Sequence, residues 1–166
     1  MGMRVFATLV VLALIVVAFA AWGWNALTAP LPHRVAAPIC SDTLVHAGDH
    51  LYPNQVTVSV LNASKREGLA SRTIYALKDA GFPSGKTGNA PSDANVATVE
   101  IWTTDLLNPA NALVASYLPG AKIVKHATTM PGVNVVVGGK FTEVATGMTD
   151  TPIDNAIEVC SPNISG

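Results

Sequence analysis

An uncharged apolar segment at the amino terminus constrains this chain more than any other feature. No charged residue occurs from Val5 to Trp24, and a helix of about 20 apolar residues is long enough to cross a bilayer. Arg4 precedes the segment, and Trp22 lies near its far end. Positive charge stays in the cytoplasm and indole rings favour the lipid–water interface. Residues 1–27 are therefore predicted to be a transmembrane anchor, with the following chain outside the cytoplasmic membrane.

A cleaved signal peptide is the alternative interpretation of this segment. Ala18-Phe19-Ala20 matches a small-x-small cleavage site. The apolar stretch is longer than the core of most signal peptides, and bulky Trp22 and Trp24 follow the site directly. The anchor is therefore favoured, and under either interpretation the rest of the chain is exported.

The two cysteines agree with export. Cys40 and Cys160 lie near opposite ends of the remaining chain, and an even cysteine count in an exported protein predicts a disulfide. The loop-entropy model gives a bridge across so long a loop about 4–5 kcal/mol. The alternative is two unrelated buried thiols. A metal site is not expected, because neither cysteine has a second cysteine or a histidine at ligand spacing.

Composition shifts divide the exported part into three segments. Residues 28–54 contain Pro30, Pro32 and Pro38 and then a polar stretch, which predicts a stiff linker followed by an ordered loop held by Cys40. Residues 55–141 carry the periodic apolar patterns of one folded domain. Residues 142–166 are polar, and we expect them to form a tail that docks back through its cysteine.

The best-supported local structure lies at the start of this domain. Residues 56–61 alternate apolar and small polar side chains, which predicts a half-buried strand. A turn at Asn62 follows, and Ser64 with Glu67 has the spacing of a capping box for a helix. Gly81 is predicted to end that helix, because glycine tolerates the left-handed conformation common at helix ends.

The remaining pattern completes a predicted β-α-(β)-β-α-β-β order. Residues 82–92 could hold a short strand at most, and further strands are predicted at 96–104, 121–126 and 133–137. Pro109 opens a second helix as its first residue. Strand–helix–strand units of this kind predict an α/β fold. We expect a two-layer α/β sandwich, a mixed sheet of four to five strands with two helices on one face, preceded by one transmembrane helix.

No motif predicts an enzyme, a metal or a cofactor. The stretch from Gly81 to Thr87 resembles a phosphate-binding loop, but its glycine spacing is one residue short, and it follows a helix instead of a strand. His46, Asp49 and His50 lie close together, yet Gly48 separates the histidines, and a polar turn is favoured over a metal site. No nucleophile–base–acid set can be assembled, so no catalytic residue is assigned.

Four residues are candidates for ligand binding: Asn62 and Arg66 near the first helix, Tyr75 on it and Trp102 in a later strand. The free N–H groups at a helix start attract anions, and the aromatic rings could stack on a sugar. A solvated helix face is the alternative. Nucleic acid is not an expected partner, because 10 basic residues nearly balance 11 acidic ones and no basic face is indicated.

An ordered series of short motifs resembles the LytR C-terminal domain family. They occur between Val56 and Phe141, which is most of the exported part. The motifs are Val56–Ser64, Glu67–Ala70, Leu77–Phe82, Thr87–Ala90, Val99–Trp102 and Val133–Gly138. The whole layout, with an anchor and two flanking cysteines, also resembles actinobacterial proteins of envelope integrity.

The resemblance implies a role in cell-envelope maintenance. Such domains often accompany a LytR–CpsA–Psr domain, which joins glycopolymers to peptidoglycan, and this chain is too short to contain one. We therefore expect a non-catalytic protein, held in the membrane, that binds envelope-biogenesis proteins such as wall-polymer ligases. The alternative is a module that binds peptidoglycan or an attached glycan at the membrane surface. A pull-down and a sedimentation assay with wall sacculi would separate the two.

Overall fold

The computed structural model describes residues 2–28 and 38–163. These residues form two units, one within Met1–Ala37 and the other within Pro38–Gly166. Most of the predicted proline-rich linker lies at 29–37, outside the described residues.

The first unit is a single helix, α1 (Gly2–Thr28), of 27 residues. At 1.5 Å per residue it is about 40 Å long, which exceeds the hydrocarbon thickness of a bilayer. Its segment Phe6–Asn25 has a mean hydropathy of 2.5, and none of that segment is buried against protein. The helix is therefore a candidate membrane anchor, although a signal sequence would have the same length and composition.

The second unit is an α/β domain built on a mixed sheet of five strands, which confirms the predicted fold class. The strands are β3 (Val58–Asn62), β4 (Ser84–Asn89), β5 (Val99–Thr103), β6 (Lys122–Lys125) and β7 (Val133–Val137). Their order in the sheet is β4-β3-β7-β5-β6. Strands β3, β4 and β7 run parallel to one another, whereas β5 and β6 form a parallel pair antiparallel to β7.

Two helices, α2 (Leu69–Asp79) and α3 (Pro109–Ser116), pack on one face of this sheet. In β3, Val58 and Val60 belong to the main core with the helices, whereas Leu61 belongs to a smaller cluster with Trp102 on the other face. This division follows from the alternation of side chains along a strand. The sheet thus has a helix-covered face and a second face, called the loop-covered face, against which loop residues of the described domain pack.

The start of α2 differs from the predicted capping box. The helix begins at Leu69, preceded by Gly68 in the left-handed region at φ 68°, and no side chain caps it. The hydroxyl of Ser64 is used elsewhere, because it donates to Asn62 Oδ1 and accepts from the Arg66 N–H. Asn62 has organised a local turn of its own, which leaves Ser64 and Glu67 outside the helix. The predicted start of α3 is confirmed, since Asn108 Oδ1 accepts from the Ala110 N–H.

The prediction of an ordered loop at the end of residues 28–54 is wrong in part, because the segment from Ser41 to Pro53 contains two strands. Strand β1 (Cys40–Val45) pairs antiparallel with β9 (Ile157–Pro162), and β2 (His50–Leu51) pairs with β8 (Thr151–Pro152). The segment after residue 141 is likewise more than a tail. Apolar side chains from both segments join the main core, namely Val45, Leu51, Ile153 and Val159.

A disulfide joins Cys40 to Cys160, as predicted, with the two Cα atoms 5.4 Å apart. In the register of β1 and β9, Cys160 lies opposite Asp42, so the bridge is diagonal across the strand pair. The Cys160 carbonyl accepts from the Thr57 N–H at 3.0 Å. The β1–β9 ribbon is thereby attached to the chain just before β3.

We expect the double variant Cys40→Ser/Cys160→Ser to keep its fold but to lose up to about 4–5 kcal/mol of unfolding free energy. The reason is that the bridge closes a loop across 120 residues of sequence, whereas the strand pairing and the buried valines remain. Urea denaturation of the full chain with and without reductant would measure this. Reductant should destabilise the wild type and leave the variant unchanged, and equal behaviour of the two would contradict the prediction.

Candidate functional site

A cavity of about 420 Å³ lies at the end of the sheet where β5 finishes and β7 begins. The start of α3, the β1–β9 ribbon and the chain before β7 also contribute to its wall. The side chains that line it are mainly polar and come from segments far apart in sequence. They include Asp42, Thr57, Trp102, Asn108, Asn111, His126, Asn134 and Glu158.

Trp102 forms the aromatic part of this wall. Its side chain is only 6% exposed, and its indole N–H donates to Glu100 Oε2 at 2.9 Å. His126, which is exposed, stacks on the indole with ring centroids 3.8 Å apart and an interplanar angle of 22°. A second depression of about 410 Å³ lies against the same two rings, on the loop-covered face of the sheet. Trp102 therefore borders both concave surfaces.

Two buried polar atoms of the cavity residues have no hydrogen-bond partner within the described part of the chain: Thr57 Oγ1 and Asn134 Oδ1. The residues are 1% and 5% exposed. The Asn134 amide nitrogen donates to the carbonyls of Met130 and Gly132, which leaves the amide oxygen as the unpaired atom. Buried polar groups are nearly always paired, and each unpaired one costs about 1–3 kcal/mol. Both residues line the cavity.

Asn62 and Arg66 form hydrogen bonds within the protein at the other end of the sheet. Asn62 bonds to Ser64 and to the Arg66 carbonyl. The Arg66 guanidinium donates to the carbonyls of Gly139 at 3.1 Å and Phe141 at 2.7 Å. These bonds tie the turn before α2 to the chain after β7.

The four residues proposed for ligand binding are not gathered into one site. Tyr75 is 65% exposed on α2, on the helix-covered side of the sheet. Trp102 lies opposite Asn134, near the start of β7, whereas Asn62 lies opposite Val137 at its end. A binding role stays a prediction for each of them, and only Trp102 lines the cavity.

The histidine cluster forms a turn. Asp49 Oδ2 accepts from the His46 N–H at 3.2 Å, as the turn interpretation predicts. His50 Nδ1 lies 2.5 Å from Asp150 Oδ2. This hydrogen bond, with a second one from the Thr149 hydroxyl, lowers the pKa of Asp150. Among the described residues, no group of three or more His, Cys, Asp or Glu side chains could hold a metal ion, and His33 lies outside them.

The phosphate-loop resemblance also has a structural outcome. The residues Ser84–Asn89 form β4 at the edge of the sheet, a full strand of six residues where a short one at most was predicted. The segment therefore leads from a helix into a strand, which is the reverse of the strand-to-helix order that a phosphate cradle requires.

We expect Arg66→Ala to lower the free energy of unfolding by about 1.5–3 kcal/mol, because two carbonyls would lose a charged donor. Lys65→Ala, at the neighbouring exposed position, is the matched control and should change stability little. Urea denaturation of both variants is the measurement. Equal stability of the two variants would contradict a structural role for Arg66 and would favour the predicted ligand contact.

Comparison with known proteins identifies a matching family and a similar solved structure. The family described as LytR cell envelope-related transcriptional attenuator, LytR_C, matches residues 55–141, just over half of the chain. The solved soluble domain of a conserved hypothetical secreted protein from Mycobacterium marinum is similar at 24% identity and a TM-score of 0.47. The similarity covers 66% of this chain and 78% of that one. No curated protein matches. The matched segment extends from just before β3 to just after β7, and the chain belongs to the LytR_C family.

Proposed function

We propose that this chain is a non-catalytic protein, anchored in the cytoplasmic membrane by α1, whose domain lies outside the cytoplasm and supports the integrity of the cell envelope. The disulfide between Cys40 and Cys160 carries the proposal. Disulfides persist in oxidising compartments. This one joins the two ends of the domain that follows the apolar amino-terminal helix in the chain. The LytR_C family, a non-catalytic domain family related to the envelope, supports the same role.

The layout of anchor, disulfide and single domain further supports a protein of the actinobacterial envelope-integrity type. In this role the domain would act by binding, with no nucleic acid as partner. Its lead partner would be an envelope-biogenesis protein, such as a ligase that attaches polymers to the cell wall.

A pair of leucines supports a protein partner. Leu106 and Leu107 lie in the loop between β5 and α3, and Leu107 is 91% exposed. The loop is ordered by its own hydrogen bonds, because Asp105 Oδ1 accepts from the Leu107 N–H and the Asp105 carbonyl accepts from the Asn111 amide. Two adjacent exposed leucines on a fixed loop form a small apolar patch that a protein contact can cover.

A second candidate function is binding of peptidoglycan or an attached glycan. The cavity beside Trp102 favours it, because an aromatic ring and amide groups line a concave surface. Both functions require the domain to lie on the extracytoplasmic side of the membrane.

The topology predicts opposite results for two carboxyl-terminal reporters. Alkaline phosphatase, which needs an oxidising compartment, should be active on the full chain, whereas green fluorescent protein exported through the same membrane should stay dark. The protein should remain in the membrane fraction at its full length. Fluorescence with an inactive phosphatase would overturn the proposed location and, with it, the envelope role.

We expect Leu107→Glu to abolish cross-linking of the full chain to a membrane-anchored envelope protein in living cells, because a charge would replace the apolar contact. Leu44→Glu is the matched control, since Leu44 is also exposed, at 53%, but lies on β1. Cross-linked partners identified by mass spectrometry should be retained in the control. Retention of the same partner by Leu107→Glu would contradict this contact.

A further inference from the structure

We infer that the cavity beside Trp102 is a binding site for an uncharged, hydroxyl-rich saccharide segment of an envelope polymer. The inference deepens the second candidate function and rests on it. It is drawn from the chemistry of the cavity lining, from the two buried atoms without a hydrogen-bond partner in the described residues, and from the stacked rings of Trp102 and His126.

The chemistry of the side chains that line the cavity favours a neutral ligand with many hydroxyl groups. Amide and hydroxyl side chains, which both donate and accept, supply most of the polar lining, and none of the described lining residues is a lysine or arginine. The carboxylates of Asp42 and Glu158 are exposed on the β1–β9 ribbon. An anionic ligand would meet two negative charges and no lysine or arginine among the described lining residues, whereas a sugar can donate its hydroxyl hydrogens to the two carboxylates. The cavity volume also lies within the range of small-molecule sites, about 300–1,000 Å³.

The unpaired atoms indicate where a ligand would gain most. Thr57 Oγ1 can donate or accept, and Asn134 Oδ1 can only accept. Thr57 directly precedes β3 and Asn134 lies on the neighbouring β7, and the Thr57 carbonyl accepts from the Val133 N–H just before Asn134. Both atoms are covered by other protein atoms, so a ligand hydroxyl would pair with either one only after the covering groups shift. Such a pairing would remove an existing cost instead of exchanging one hydrogen bond for another.

The aromatic pair supplies an apolar surface beside these atoms. The His126 ring is exposed and nearly parallel to the indole of Trp102. Its ring nitrogen Nδ1 lies 2.8 Å from the carbonyl oxygen of the adjacent Ala127, so the side chain is positioned by a local hydrogen bond and by the stacking on Trp102. A sugar ring can stack against the exposed ring of His126, which itself rests on the buried indole of Trp102.

The experiment measures binding of soluble glycan fragments, prepared from peptidoglycan by muramidase, to the full chain by titration calorimetry. The detergent must lack a sugar headgroup. Thr57→Val preserves the shape of the side chain and removes only the hydroxyl, so we expect unchanged or higher thermal stability and about tenfold weaker binding. Thr73→Val is the matched control, because Thr73 is equally buried but donates to the Leu69 carbonyl on α2. It should lose stability and bind normally.

A second variant tests the site without touching the interior. Thr104 is exposed and lines the cavity, and Thr104→Arg should fold normally while its side chain obstructs the ligand. Binding that is lost in Thr104→Arg and weakened in Thr57→Val, but kept in Thr73→Val, supports the inference.

Three results would overturn it: no binding of the fragments by wild type, equal binding by wild type and Thr104→Arg, or Thr57-dependent binding of wall stem peptides that carry no sugar. The reporter fusions distinguish failure of this inference from failure of the envelope role. If the domain is extracytoplasmic but binds no glycan, the proposed location and the proposed protein partner still stand.

Discussion

The pairing of the two ends of the domain is the interaction on which the rest of the structure depends. Strands β1 and β9 lie at opposite ends of the α/β domain, and their six-residue pairing is cross-linked by the disulfide. The ribbon brings Val45 and Val159 into the main core. It also supplies Asp42 and Glu158 to the wall of the cavity. One element therefore stabilises the fold and shapes the candidate site, so an oxidising compartment would favour both together.

The central part of the fold could be predicted because its signals are local. The alternation in β3, the apolar stripe of α2 and the Asn108–Pro109 start of α3 each occupy a few consecutive residues. Strands β1 and β9 carry no such signal, since β1 is buried only at its two ends and β9 has a single buried residue, Val159. Their pairing is decided by partners more than 100 residues away, which no short pattern can indicate.

Strand β4 shows a second limit of local patterns. Its glycines suggested a loop with a short strand at most, yet it is paired with β3 along its length. A Cβ at Gly85 would collide with the Ser59 hydroxyl of the neighbouring strand. That hydroxyl accepts from the Lys86 N–H and donates to the Pro131 carbonyl. Glycine therefore allows a close approach between strands here, which is a different physical reason from the flexibility that glycine suggests in isolation.

The candidate site was harder to predict than the fold. Trp102 was singled out for its ring and does line the cavity, whereas Asn62 and Arg66 were chosen as neighbours of a helix start that lies at Leu69 instead. Asn62 bonds to nearby backbone, as short polar side chains do in turns, whereas Arg66 donates to the distant carbonyls of Gly139 and Phe141. Thr57 and Asn134 were missed because a polar residue beside an apolar one in a strand normally faces solvent. Only the pairing of distant segments buries them.

The two candidate surfaces are contiguous, which bears on how such a domain would work. Leu107 precedes Asn108 directly, and Asn108 both caps α3 and lines the cavity. Its amide also donates to the Glu158 carbonyl on β9. A protein seated on the leucine loop would therefore lie at the mouth of the cavity, beside a saccharide held there. In that arrangement a domain without catalytic groups could place a polymer next to the enzyme that attaches it, so protein binding and glycan binding would be two parts of one role.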